Sequence, residues 1–167
     1  DYANHWATIS GGQVFHITVP SPNDDVFFDG NSFPSVNDTV YVDSTLIYCH
    51  DMDWSGVINN PTFLAGNTNS ALKIYGSLTL SSNMNLNFYD WQSGNSVTIY
   101  FEATTTGKTI TTANLDLNSY LYFNGISGEW TLMDSLKADI NFNNGTLYSG
   151  NQYIGGLYFG GGSLYLG

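Results

Sequence analysis

The sequence predicts an all-β fold, and within that class a parallel β-helix, also called a β-solenoid. From about residue 72 onward, short segments alternate apolar and polar side chains with a period of two, as strands with one buried face do. Glycines punctuate these segments at recurring intervals: Gly76, Gly94, Gly107, Gly125, Gly145 and Gly162. An interval of roughly 20 residues fits one solenoid coil, whereas a hairpin meander places a turn roughly every 8–12 residues. An antiparallel β-sandwich is the alternative fold.

Residues 1–35 are predicted to form an N-terminal cap or a first irregular coil. They hold three of the four prolines, and proline cannot donate a hydrogen bond within the centre of a sheet. Residues 36–167 are predicted to form solenoid coils that continue to an uncapped C-terminal edge. Strands are expected there at residues 39–42, 46–48, 72–76, 77–80, 85–88, 97–101, 115–117, 120–125, 130–132, 140–142, 157–160 and 164–167.

The alternation assigns every second side chain of a strand to a core shared by successive coils. Parallel pairing of residues about 20 positions apart would stack these side chains into ladders. The expected core members are Leu78, Leu80, Ile99, Leu115, Leu121, Phe123, Leu132 and Ile140. Asparagine is expected at the turns, because it tolerates a left-handed backbone and can stack its amide from coil to coil.

The net charge restricts the partners of this chain. With 3 Lys or Arg residues against 14 Asp and Glu, the formal charge is −11. Such a chain repels phosphate backbones and anionic lipid surfaces, so we expect no nucleic acid and no membrane insertion.

The single cysteine, Cys49, lies in an apolar run and is expected to be buried. Scarce Lys, Arg and Cys together with abundant Asn, Thr and Tyr indicate a secreted bacterial protein, at the cell surface or extracellular.

Catalysis is assigned to no residue. Asp51 and Asp53 would lie on one face of a strand, as a hydrolase pair could, but His50 would face the opposite side and no substrate-binding cation follows.

The acidic residues suit calcium better, because carboxylate oxygens are hard ligands. The calcium candidates are Asp24, Asp25, Asp29, Asp51 and Asp53; the alternative is that they are solvated turn carboxylates. No other cofactor is expected.

Outward tyrosines are the second kind of candidate site. Tyr alternates with Leu in two segments, so one set of rings faces solvent, where it could stack on sugar rings or on a neighbouring subunit. The candidates are Tyr120, Tyr122, Tyr158 and Tyr165. The alternative is that these rings only pair across strands.

Several segments together resemble β-solenoid regions of large secreted cell-surface, adhesin-like proteins of Bacteroidota. They are residues 4–12 (NHWATISGG), 19–29 (VPSPNDDVFFD), 49–56 (CHDMDWSG), 59–62 (NNPT), 74–80 (IYGSLTL), 101–112 (FEATTTGKTITT) and 123–132 (FNGISGEWTL). The resemblance implies a parallel β-helix in a non-catalytic surface protein exported by the type IX secretion system. Segments 38–40 and 134–136 also resemble the Asp, Ser/Thr, aliphatic signal for O-glycosylation in that phylum, which would modify Thr39 and Ser135.

The expected function is a non-enzymatic structural module of a secreted bacterial surface adhesin or extracellular filament. A glycan-binding module that uses the outward Tyr and Asn stripes is the first alternative, and a carbohydrate-active β-helix enzyme is the second. Residues 155–167 contain no charge and no proline, so they would be prone to aggregate as a bare edge. We therefore expect further coils, or further copies stacked head to tail, as partners.

Overall fold

A computed structural model describes residues 6–167, which form 17 short β-strands and no helix. The strands are β1 Val26–Asp29, β2 Thr39–Val42, β3 Leu46–Cys49, β4 Met52–Gly56, β5 Thr62–Ala65, β6 Ser70–Ile74, β7 Leu78–Thr79, β8 Asn85–Asn87, β9 Tyr89–Asp90, β10 Asn95–Phe101, β11 Lys108–Thr111, β12 Asp116–Phe123, β13 Glu129–Leu132, β14 Lys137–Phe142, β15 Thr146–Tyr148, β16 Leu157–Phe159 and β17 Ser163–Tyr165. The described part of the chain thus contains no helix that is long and apolar enough to cross a membrane.

The strands stack into a parallel β-helix with three faces. The first face has the order β1-β4-β7-β11-β13-β15-β17, the second has the order β3-β6-β10-β12-β14-β16, and the third has the order β2-β5-β8. Neighbouring strands within each face pair in parallel. In residues 6–167 the antiparallel pairs are the β9–β10 hairpin and the bridge between Ala7 and Phe15. The predicted solenoid is confirmed, and the sandwich alternative is wrong.

The coils near the C-terminus are shorter than those near the start, although the coil that contains the β9–β10 hairpin, in which Leu78 pairs with Ile110, is the longest. Near the start of the stack, Val26 pairs with Met52 and Met52 with Leu78. Near the C-terminus Leu147 pairs with Leu164, so one turn there uses clearly fewer residues. The third face ends at β8, and each later turn contains one strand of the first face and one of the second. The cross-section therefore narrows from three faces to two.

The interior is filled by the inward side chains of successive coils. Of the predicted core members, Leu78, Leu80, Ile99, Leu121, Phe123, Leu132 and Ile140 are buried. Leu115 is only half-buried, because Leu117 takes the fully buried position at the start of β12. The predicted pairing is confirmed in register: Leu121 lies between Ile99 and Ile140 on adjacent strands.

Aromatic ladders run through the core. In the wide coils, Trp54 stacks on Phe28 with ring centroids 3.8 Å apart and contacts Phe63 at 4.9 Å. In the narrow coils, Phe101, Phe123 and Phe142 stack in sequence at 4.7 and 5.3 Å. Such contacts stabilise a pair by about 0.5–1.5 kcal/mol beyond the burial of area. The ladders hold each coil to the next.

Asparagines form many of the tight corners, as expected. Within residues 6–167, seven of the nine non-glycine residues with positive φ are asparagines: Asn37, Asn59, Asn60, Asn69, Asn114, Asn118 and Asn151. Asparagine side chains also link the coils, since the Asn143 amide donates to the Asn124 side-chain oxygen at 2.9 Å. The Asn59 amide likewise donates to the Phe33 carbonyl at 2.8 Å.

The segment predicted as a cap contributes to the stack. Strand β1, within residues 1–35, is the first strand of the first face and pairs with β4. Before it, the chain makes a short bridge between Ala7 and Phe15. The Trp6 ring packs against Phe28 at 5.9 Å, so this segment lies against the first coil. Residues 1–5 of the predicted cap lie outside the described residues.

Candidate functional site

A groove of about 710 Å³ crosses the outer surface of the second face. Its floor follows one register row, in which Tyr120 of β12 lies beside Asp139 of β14. The β8–β10 connection forms one wall, where Tyr89 is half-exposed, and Tyr153 lines the side near the C-terminus. Asn69, Asp116, Asn118 and Lys137 also line it.

Glycine keeps the C-terminal end of this groove open. A Cβ atom at Gly156 would clash with the Asp139 carboxylate oxygen Oδ1. The neighbouring strand therefore passes close to Asp139 without a side chain that would displace its carboxylate. Asp139 makes no hydrogen bond or ion pair within residues 6–167, so its oxygens are available to a ligand.

The four predicted tyrosines fall into different environments. Tyr120 lines the groove. Tyr122 stacks on Tyr100 with centroids 5.0 Å apart, and Lys73 Nζ lies 5.6 Å from the Tyr100 centroid. Tyr158 and Tyr165 lie on the last strands of their faces, where Tyr165 stacks on Tyr148 at 4.9 Å. Hence Tyr122 and Tyr165 each already have one ring face covered by another tyrosine.

Two of the predicted calcium ligands come together, with a histidine that the prediction left out. Asp25, His50 and Asp51 each offer one ligand atom within 4.8 Å of the others, and they form the one such group in residues 6–167. His50 Nδ1 lies 2.7 Å from Asp25 Oδ1 and 3.6 Å from Asp51 Oδ1. The expectation that His50 faces away from Asp51 is wrong, because both residues precede β4 in a turn and do not alternate as in a strand.

Backbone donors hold this cluster in place. The amide of Asp51 donates to Asp25 Oδ1 at 3.1 Å, and the amide of Ser77 donates to Asp51 Oδ1 at 2.6 Å. The hydrogen bond with His50 is the main cause that lowers the pKa of Asp25. Calcium prefers oxygen ligands, whereas imidazole nitrogen suits zinc and related metals. The cluster thus combines two oxygen donors that suit calcium with one nitrogen donor that does not, and the calcium assignment stays a prediction.

The other three predicted ligands are engaged in local turns and do not join this cluster. Asp24 accepts hydrogen bonds from the amide and hydroxyl of Ser21, which lower its pKa. Asp29 accepts the amide of Asn31 at 2.8 Å in its turn, and its pKa is lowered chiefly by a hydrogen bond from the more distant Ser10 hydroxyl. Asp53 accepts the amide of Ser55 at 2.7 Å. These carboxylates close turns, as short polar side chains commonly do.

The two predicted glycosylation sites differ in exposure. Thr39 is exposed at the start of β2. Ser135 is half-buried, and its carbonyl accepts a hydrogen bond from the Thr112 hydroxyl at 2.9 Å. The preceding Asp134 holds the turn at Thr112 by accepting its amide at 2.8 Å. Modification of either residue stays a prediction.

Within residues 6–167, no further strand covers the C-terminal ends of the first two faces. Strands β17 and β16 are the terminal members of these faces in the described residues. Phe159 is 55% exposed, although Phe142, its partner one coil earlier, is fully buried. Leu157 is 37% exposed beside fully buried Ile140. We call this surface the open edge.

Sequence reasoning missed the groove and the histidine of the cluster. Tyr89, Tyr153, Asp116 and Asp139 are far apart in sequence and carry no motif. Aligning coils at the observed register would have placed residues 120–123 beside 139–142, and thus Tyr120 beside Asp139. No family model, curated protein or solved structure matches this chain.

Proposed function

We propose that this chain is a non-enzymatic structural module, a segment of β-solenoid rod in a secreted bacterial surface adhesin or extracellular filament. The observation that carries the proposal is the open edge. There the inward ladder of Phe101, Phe123 and Phe142 continues to Phe159, which has no coil above it within residues 6–167. Phe159 would be buried, as the earlier residues of this ladder are, only if another coil covered it.

The chemistry of the open edge supports coverage by a coil of the same kind. Within residues 6–167 no strand pairs with the outer side of β16 or β17, so the backbone donors and acceptors there can template pairing with another strand. Tyr158, Phe159, Tyr165 and Leu166 are each more than half exposed there. Residues 155–167 contain no charged side chain that would discourage such pairing. The partner is a further coil, from the same polypeptide or from another copy.

Sedimentation velocity of the purified chain tests this proposal, because only another copy can then supply the coil. Between micromolar and near-millimolar concentration, we expect self-association. Phe159→Lys together with Leu166→Lys should reduce the association at least tenfold, since both residues are already exposed and the charges repel a second edge. Trp91→Lys is the matched control, because Trp91 is 77% exposed on the β9–β10 hairpin, away from the open edge.

Hydrogen exchange, measured together with sedimentation, can give the result that contradicts the proposal. A chain that stays monomeric at high concentration, with the amides of β17 protected, would show that the edge is stable alone. Association that the Phe159 and Leu166 variants leave unchanged, or that Trp91→Lys abolishes, would place the contact elsewhere. Either result would overturn the structural proposal.

A further inference from the structure

The geometry points to a binding site for an uncharged oligosaccharide in the groove on the second face, with Tyr120 and Tyr153 as its aromatic contacts. This site goes beyond the structural role, since the groove lies on the outer surface of the second face and approaches the open edge only at Gly155 and Gly156, which precede β16. A surface protein with such a groove would hold a glycan laterally while its coils continue along the axis.

The ring faces of the groove tyrosines are the first argument. Tyr89, Tyr120 and Tyr153 are 50%, 58% and 63% exposed, and within residues 6–167 none of them stacks on another ring. Tyr100, Tyr122, Tyr148 and Tyr165, by contrast, are stacked in pairs. An aromatic face is suited to the apolar C–H face of a sugar ring, while the hydroxyl at its tip remains free to make a hydrogen bond. Three such faces border one groove.

The polar groups of the groove suit hydroxyl ligands. The carboxylate of Asp139 has no partner in the described residues. Asp116 accepts the amide of Asn118 with Oδ1 at 3.0 Å, and its Oδ2 has no hydrogen-bond partner in the described residues. These oxygens can accept hydrogen bonds from sugar hydroxyls. The Lys137 ammonium donates to the Asn114 carbonyl at 2.8 Å. Two carboxylates, one lysine already engaged and a net charge of −11 disfavour sulfated, phosphorylated or uronic ligands.

The length of the groove favours an oligosaccharide over a single sugar. Its lining residues extend from the β6 side to the β16 side, through β10, β12 and β14. Four intervals between neighbouring strands, at about 4.8 Å each, give roughly 19 Å. A ligand of this length would contact Tyr120 near its middle and Tyr153 toward the C-terminal end.

Isothermal titration calorimetry with a defined set of probes tests the site. The neutral probes are hexasaccharides of glucose, mannose, xylose and galactose, in α- and β-linked forms where both exist. The charged probes are oligogalacturonate and a heparin oligosaccharide. We expect a neutral probe to bind with a micromolar to low-millimolar Kd, and neither charged probe to bind at 5 mM. Tyr120→Ala and Tyr153→Ala should each weaken binding at least tenfold.

Tyr122→Ala is the matched control, because Tyr122 lies two residues from Tyr120 on the same face but outside the groove lining. It should change the Kd less than twofold, and circular dichroism should show that all three variants keep their strands. Binding of no neutral probe at 5 mM would overturn the inference. So would binding of the charged probes alone, or neutral binding that survives in the Tyr120→Ala, Tyr153→Ala double variant.

Discussion

At the scale of single residues, burial sets the chemistry of the one thiol. Cys49 ends β3 with its side chain fully buried, one residue before His50 of the Asp25–His50–Asp51 cluster. Burial raises the pKa of Cys49 to about 12, and the nearby charges of Asp51 and Asp25 act in the same direction. Because the thiolate is the reactive species, the folded protein should hold this thiol inert.

Labelling with Ellman's reagent measures the reactivity of the Cys49 thiol directly. At pH 8 we expect less than a tenth of Cys49 to react within an hour in the native protein, and full reaction within minutes in concentrated urea. The labelling rate at intermediate urea should follow the loss of the strand signal in circular dichroism. Stoichiometric labelling without denaturant would show that the end of β3 is open to solvent. Cys49→Ser gives the background.

At the scale of strands, the alternation in the sequence located most strands of both the wide and the narrow coils. Alternation located β10 and, as two segments at 115–117 and 120–125, β12, because each has several inward apolar residues. Among the strands absent from the prediction are β4, β5, where Pro61 precedes a four-residue strand, and β15, which has one buried residue. The groove and the cluster depend on which coils are neighbours. Local patterns do not contain that register, because the sequence interval between paired residues changes from coil to coil.

An ion pair between two strands of the second face gives a pH-dependent contribution. Lys73 of β6 lies 3.2 Å from Glu102, which directly follows β10, and the hydrogen bond with Glu102 is the main cause that raises the pKa of Lys73. A raised pKa means that the pair stabilises the fold below the ordinary lysine pKa, near 10.4. This contribution is lost as the pH rises through the higher pKa of the folded state.

Lys73→Met should therefore destabilise the protein at pH 7–9 by up to about 1 kcal/mol, a small value because the pair is partly exposed. The difference from the wild type should shrink above pH 11 in urea unfolding experiments. Lys137→Met is the control, since Lys137 donates to a carbonyl and not to a carboxylate. A difference that stays constant from pH 7 to 11.5 would contradict the assigned ion pair.

At the scale of the whole molecule, stability passes from coil to coil. In a stacked fold each unit contacts only its neighbours, so the middle of the stack has support on both sides and the end on one. Leu121 is fully buried between Ile99 and Ile140 near the centre of the second face. Leu164 has the equivalent inward position on the last strand of the first face, and it is only half-buried beside Leu147.

The same substitution at these two positions should have unequal effects. Leu121→Asp places an unpaired charge in the core and should abolish cooperative unfolding at 25 °C. Leu121→Ala should lower the free energy of unfolding by about 2–5 kcal/mol. Leu164→Asp should leave a folded protein, with protection from hydrogen exchange lost in β17 but kept in β10 and β12. Equal losses at both positions would contradict a stack with an exposed C-terminal end.

The narrowing of the coils gives the rod a direction, and hence a visible period if copies join end to end. A narrow two-faced coil of one copy would then meet the wide three-faced coils that begin the next. The first face holds seven strands, so at about 4.8 Å per strand the thickness would step once every 34 Å or so. Electron micrographs of such an assembly should show a beaded outline with this axial repeat. A rod lengthened only by narrow coils of one polypeptide would instead keep a smooth outline beyond the taper.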